Sequence, residues 1–213
     1  MEAMARAYLD QTAWTRLRLA AVRDLVEPQA GERILDLGCA AGAVSHYLST
    51  FRCEVVGVDA APLAVERARS LFTDPQFDLA DVRELPFPDA SFDKAVAADL
   101  VEHLDDATFV GMLAEARRVL RVGGTLSLYT PNPEHPIEVL KSRDLVLATN
   151  PTHIGLRTAG ELESALADGG FDIEVSDWRP SFIPGLREIE RIFGARTARL
   201  RYRLCLRARA PVS

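Results

Sequence analysis

Asp99, Glu102 and His103 stand close together in the stretch A-D-L-V-E-H-L-D-D, from Ala98 to Asp106. At helical spacing Asp99 shares a face with Glu102 or with His103. Imidazole titrates near neutral pH, so His103 suits general-base work on a hydroxyl. His153, in H-I-G-L-R-T-A-G-E-L, is a second imidazole that a fold can bring to the same place. Two acids and two imidazoles also form a donor set for a divalent ion. The plainest alternative is that Glu102 and His103 support a turn and do no chemistry. The reading carried forward makes His103 and His153 the catalytic bases and assigns no metal.

A second chemical feature lies earlier, in R-I-L-D-L-G-C-A-A-G, from Arg33 to Gly42. An apolar strand pattern (Ile34, Leu35, Leu37) breaks at once into small residues, as a buried parallel strand does when it turns into a helix. A second strand, Glu54 to Val58, ends on Asp59, 21 positions past Gly38. An acid at about that distance from a glycine turn is placed to accept from ribose hydroxyls in a Rossmann-like unit. A glycine turn also arises for steric reasons alone. As a dinucleotide fingerprint the turn is poor, because Ala40 puts a methyl where a pyrophosphate needs bare backbone. Asp36 would moreover repel a phosphate. A ligand with a cationic or hydrogen-bond-donating tail fits better.

The sequence D-L-G-C-A-A-G resembles motif I of the class I S-adenosylmethionine-dependent methyltransferases, D/E-x-G-x-G-x-G, with Ala40 at the middle glycine. The resemblance runs from about Arg33 to Val175 and is nearest the broad group that includes the ubiquinone-pathway methyltransferases. L-P-F-P-D-A-S-F-D before Phe92 to Ala98, and R-V-L-R-V-G-G-T-L further on, belong to the same pattern. It implies S-adenosylmethionine as cofactor, with Asp36, Gly38, Ala40, Gly42, Asp59, Ala60 and Asp99 in the cofactor site. It also implies that Asp81 and Val82 meet the adenine; Asp81 capping a local turn is the alternative. D-x-x-E-H with His153 is similar to the metal-binding residues of the small-RNA terminal 2′-O-methyltransferases.

The chain of 213 residues is long enough for one well-buried domain and short for two. We therefore expect a single domain over residues 1–213, with 1–27 as an N-terminal helical cap. A net charge of −6 argues against binding along a nucleic-acid backbone. No apolar run approaches 18 residues and no signal-peptide pattern opens the chain, so no membrane partner is expected and the location read is cytoplasmic. Cys39, Cys53 and Cys205 lack metal spacing and read as free, reduced thiols.

Around these groups the chain reads as helices alternating with strands. Met4 to Val26 has helical apolar spacing (Leu17, Ala20, Ala21, Leu25), with Arg16, Arg18 and Arg23 on other faces. In the family this helix caps the cofactor pocket, where Tyr8 or Trp14 can touch the substrate. Ala43 to Thr50 and Pro62 to Phe72 read as helices, and Gln76 to Leu79 and Phe92 to Ala98 as strands. A helix over Thr108 to Arg121, closed by Gly123 and Gly124, precedes a strand over Thr125 to Thr130. Pro131 to Arg157 is a long loop or loop plus helix, of the kind that serves active sites. Thr158 with Glu161 forms a capping box. Gly169 and Gly170 end that helix before a strand over Phe171 to Val175. Arg199 to Arg209 alternates as a half-buried strand whose arginine face meets solvent or acidic neighbours. By the family pattern it is the seventh and antiparallel strand of a doubly wound, mostly parallel α/β sheet.

The function expected is methyl transfer from S-adenosylmethionine to a small-molecule acceptor, on oxygen. The alternatives are a metal-assisted O-methyltransferase and a cofactor-binding protein without transfer activity. Asp36 disfavours a nicotinamide-dependent dehydrogenase.

Overall fold

The computed structural model describes residues 12–141 and 151–211. Within them a seven-stranded sheet runs β1 (Arg33–Leu37), β2 (Glu54–Asp59), β3 (Gln76–Leu79), β4 (Phe92–Ala98), β5 (Leu120–Pro131), β6 (Asp172–Arg179) and β7 (Arg203–Arg209). The spatial order is β3-β2-β1-β4-β5-β7-β6, and β7 is antiparallel to both neighbours. The helices are α1 (Ala13–Val26), α2 (Ala43–Ser49), α3 (Pro62–Leu71), α4 (Asp106–Val119), α5 (Pro136–Lys141), α6 (Ala159–Asp168) and α7 (Leu186–Phe193). Among the described residues no helix is long and apolar enough to cross a membrane.

β1 is central because both of its faces are apolar enough to be covered. Leu35 and Leu37 pack with Val56, Val58, Ala95, Ala97, Leu126 and Leu128 against α4 and α6, through Phe109, Met112, Leu113, Leu162 and Leu166. Ile34 faces the other way, with Val55, Val96 and Ala98 under α1 and α2. Helices on both faces are what a parallel sheet requires. Shortening any of these fully buried leucines to alanine would cost about 2–5 kcal/mol.

The register sets the site. Leu37 lies opposite both Val58 and Ala97, Asp59 opposite Leu79, and Ala98 opposite Tyr129. The carboxyl ends of four strands are therefore level, and the residues just beyond them (Gly38, Ala60, Ala80, Asp99) line one rim with Thr130 of β5, which runs on to Pro131. Ligands in open α/β sheets bind beyond that rim.

Several boundaries differ from the sequence expectation. α4 starts two residues early, because the Asp105 side chain accepts from Thr108 N and caps it. It ends at Val119, and β5 begins at once. Gly123 and Gly124 do not close the helix but pair with Ala210 just past β7, through Gly123 N to Ala210 O and Ala210 N to Gly124 O. β6 runs on to Arg179. The last strand starts only at Arg203, because Ala198–Leu200 forms a 3-10 turn. Its arginine face finds acids: Arg203 meets Asp99, Arg207 meets Glu27 and Glu174, and Arg209 meets Glu174. The Thr158–Glu161 capping box is present.

In the first helix Ala21 and Leu25 are buried as expected, but the buried stripe continues on the side away from Leu17. Leu17 is 41% exposed, whereas Leu19, Val22 and Val26 are buried and so is Arg18. A buried guanidinium needs a counter-charge, and Asp99 supplies it at the rim. Residues 4–11 of the predicted helix, Tyr8 among them, and 142–150 of the long loop lie outside the described residues.

Candidate active site

The turn after β1 is held by left-handed backbone at Gly38 (φ 69°), Ala40 (φ 49°) and Gly42 (φ 82°). A Cβ on Gly38 would press on the Leu100 side chain, and one on Gly42 on the Phe77 ring, each at 2.6 Å. Asp59 fixes the turn from the neighbouring strand: its Oδ2 accepts from Ala40 N and its Oδ1 from Ala61 N, both at 2.9 Å. A carboxylate has about four acceptor positions. Two are therefore left for ligand hydroxyls, and Ala60 beside it is exposed.

Asp36 is enclosed, at 1% exposure, with Ser45 Oγ donating to it at 2.5 Å. Burial pushes its carboxyl up to about 6 despite that bond. Gly57, opposite Asp36, leaves room for Ser45 and Cys39; a Cβ there would come within 2.8 Å of both side chains. Sequence reasoning passed over Gly57, although a glycine inside a strand signals close approach. Cys39, Cys53 and Cys205 are buried free thiols, and burial raises each pKa, Cys205 to about 12.

After β3, Asp81 forms the local turn weighed as the alternative. Its Oδ1 accepts from Arg83 N at 2.8 Å, and the Arg83 guanidinium grips both oxygens. The guanidinium bond holds its carboxyl below the usual range. Val82 is 7% exposed, inside the main core.

Beyond β4 the cluster divides. Asp99 adopts left-handed backbone (φ 57°), which sends its carboxylate toward α1, between Arg18 Nε (2.5 Å) and Arg203 Nη1 (2.8 Å). Burial opposes its charge, but Arg203 and Arg18 outweigh burial and hold the carboxyl below the usual range. Glu102 and His103 sit on a 3-10 turn, Val101–His103, and bond to other partners. The helical face that the sequence predicts for Asp99 with Glu102 or His103 is thus absent, because a positive φ interrupts it.

Glu102 is 1% exposed and accepts from Thr130 Oγ1 at 3.0 Å. Burial, and then the charge of Asp99, raise its carboxyl to about 7. His103 Nδ1 lies 3.0 Å from the Thr152 carbonyl. A carbonyl only accepts, so Nδ1 carries the proton and Nε2 of the neutral ring keeps its lone pair. His153 stacks edge-on at 4.9 Å, and burial, with His103 nearby, lowers its pKa. Glu102, His103 and His153 each offer a donor atom within 4.8 Å of the others.

Two residues that carry no motif bring His153 there. Gly155 N donates to Glu102 O, and a Cβ on Gly155 would overlap the Leu104 carbonyl. Arg157 is 8% exposed and donates to the carbonyls of Val101, Gly155 and Leu104 and to Asp106. It staples the 3-10 turn to the segment that bears His153.

Residues 35–128 match the family model described as a methyltransferase domain. A probable S-adenosylmethionine-dependent methyltransferase of Mycolicibacterium smegmatis is 32% identical over 78% of this chain and 62% of its own length. The 27-O-demethylrifamycin SV methyltransferase of Amycolatopsis mediterranei is 37% identical over 73% of this chain and 63% of its own. The chain thus spans less than two thirds of the length of these curated relatives. A methyltransferase of Haloferax volcanii, solved with the Trm112 methyltransferase activator, superposes with a TM-score of 0.72 at 21% identity, covering 93% of this chain and 90% of that one. With the sheet order, the glycine turn and the acid that ends β2, these matches show that the chain belongs to the class I S-adenosylmethionine-dependent methyltransferases.

Proposed function

We propose that the chain transfers a methyl group from S-adenosylmethionine to an oxygen of a small-molecule acceptor. The observation that carries this reading is the clamp of Asp59 on the Ala40 turn. It leaves a fixed, partly exposed carboxylate with unused acceptor positions above a turn of bare backbone, which suits a ribose. Gly38, Ala40 and Gly42 line the other end of the same site. When bound, S-adenosylmethionine supplies an electrophilic methyl on sulfur.

The residues of this chain do the rest. Asp59 and the turn orient the ligand, and Asp36 adds negative charge beneath the turn, which suits a cationic tail. Asp99 joins α1 to β7 through Arg18 and Arg203 and so positions the rim; we assign it this role in place of ligand contact. Asp81 and Val82 bound the rim on the β3 side. His103 Nε2 takes the proton of an acceptor hydroxyl, with the Thr152 carbonyl holding the ring, and His153 lies beside it. The relatives that methylate oxygen support an oxygen acceptor.

A second reading is favoured by the convergence of Glu102, His103 and His153 donors. A divalent ion there would lower the pKa of an acceptor hydroxyl. Asp99, expected to join such a set, is taken up by its arginines.

The test is calorimetry with S-adenosylhomocysteine followed by transfer of labelled methyl to a panel of phenols, alcohols and amines. Binding with transfer to hydroxyls, slowed about 100-fold in His103→Gln with ligand affinity kept, is the result expected. No binding at millimolar ligand would overturn the reading. Activity abolished by chelator and restored by a divalent ion would replace the base with a metal.

A further inference from the structure

Between α1, the end of β6 and the start of α7 lies a cleft of about 80 Å³. Its walls include Arg18, Arg179, Arg187, Tyr129, Tyr202 and Phe182. Three guanidinium groups converge there in a chain whose net charge is −6. Arg18 is matched by Asp99 and Arg179 by Asp177. Arg187 differs. Its Nε is buried and has no hydrogen-bond partner among the described residues.

The reason is visible along α7. The acid within helical reach of Arg187 is Glu190, three residues on. Glu190 is fully buried and its two oxygens are engaged, one by His135 Nε2 at 3.0 Å and the other by Ser181 N. Glu188 pairs with Arg191 instead. Arg187 is also in the first turn of its helix, where the helix dipole disfavours a cation. The Arg187 guanidinium therefore carries its charge without a matching acid among the described residues. Beside it Phe182 is 45% exposed, and the tyrosines close the cleft floor at 5% and 6%. Burial keeps the Tyr129 phenol protonated and therefore a donor.

We propose that this cleft is a binding site for an aromatic carboxylate, whose anionic head meets the Arg187 guanidinium, which has no acidic partner among the described residues, and whose ring lies against Phe182. One unmatched guanidinium calls for one negative charge, which a carboxylate carries and a doubly charged phosphate exceeds. A space of this size holds the carboxylate and part of a ring, and Phe182, 45% exposed, offers the rest of the ring a surface at the mouth. The aromatic wall favours a ring over a bare anion. The cleft shares Arg18 with the Asp99 pair at the rim, and its test reads binding alone, apart from the transfer reaction.

Calorimetry of the full chain with benzoate, benzamide, acetate and inorganic phosphate tests this. Saturable one-to-one binding of benzoate is expected, with a dissociation constant on the order of 1 mM. Benzamide, acetate and phosphate should each bind at least about tenfold more weakly. Arg187→Gln should weaken benzoate about tenfold or more, and Arg187→Lys should restore part of the loss. Phe182→Ala, at an exposed wall residue, should weaken benzoate from the apolar side. Benzoate that fails to saturate by about 50 mM, equal binding of benzamide, or unchanged affinity in both Arg187→Gln and Phe182→Ala would overturn the proposal.

Discussion

Asp59 Oδ2 accepts a hydrogen bond of 2.9 Å from Ala40 N, so the residue that ends β2 holds in place the turn that comes after β1. The same carboxylate binds Ala61 N at the entrance to α3. One side chain thus ties together two strands, a turn and a helix at the point where the ligand is to lie.

Replacing Asp59 with alanine should therefore do two things at once. It removes two charge-assisted bonds to backbone, about 1.5–3 kcal/mol each at most, and the ribose acceptor with them. We expect an unfolding free energy lowered by about 2 kcal/mol and S-adenosylhomocysteine affinity reduced at least about 100-fold. Wild-type affinity in a calorimetric titration would remove Asp59 from the ligand site.

Ala40 occupies left-handed backbone at φ 49°, which costs an L-residue about 1–2 kcal/mol. Glycine removes that cost but adds entropy to the unfolded chain, about 0.4–1 kcal/mol. Ala40→Gly should thus be neutral or stabilising by up to about 1 kcal/mol in urea denaturation. A loss of more than about 1 kcal/mol would show that the alanine methyl packs favourably.

Asp36 makes a pH-dependent contribution whose sign is fixed by burial. Its folded pKa, about 6, lies above the unfolded value of 3.8. The folded state therefore keeps a proton that the unfolded state loses, and stability falls as pH rises from about 4 to about 6 before levelling. The cost at pH 7 is about 2–3 kcal/mol. Asp36→Asn should flatten that part of the stability curve and be more stable at pH 7, while binding a cationic ligand more weakly. An unchanged slope between about pH 4 and about pH 6 would contradict this account.

Gly155 has no side chain because the Leu104 carbonyl occupies the space. Gly155→Ala should push the His153 segment away from the 3-10 turn and cost about 2–4 kcal/mol. His103 should lose its Thr152 partner and transfer should fall, with S-adenosylhomocysteine binding nearly unchanged. Equal transfer by the variant and the parent would separate His153 from the chemistry.

The local units of this protein are legible in its residues before any fold is known. Strand β1 is so because continuous apolar residues ending in small ones have few other uses, and Asp59 because a fixed distance separates it from the turn. The Thr158 cap and α3 come from local rules that need no distant partner. Other features arise only when distant segments meet. Arg18 reads as a surface arginine, and Asp99, 81 residues away, supplies the counter-charge that its burial needs. Spacing groups Asp99 with Glu102, but in space its carboxylate is taken up by Arg18 and Arg203. Gly57, Gly155 and Arg157 carry no motif, because their work is to let distant segments approach or to satisfy carbonyls that those segments expose. Periodicity and spacing describe neighbours along the chain, whereas charge pairing and close backbone approach depend on neighbours in space.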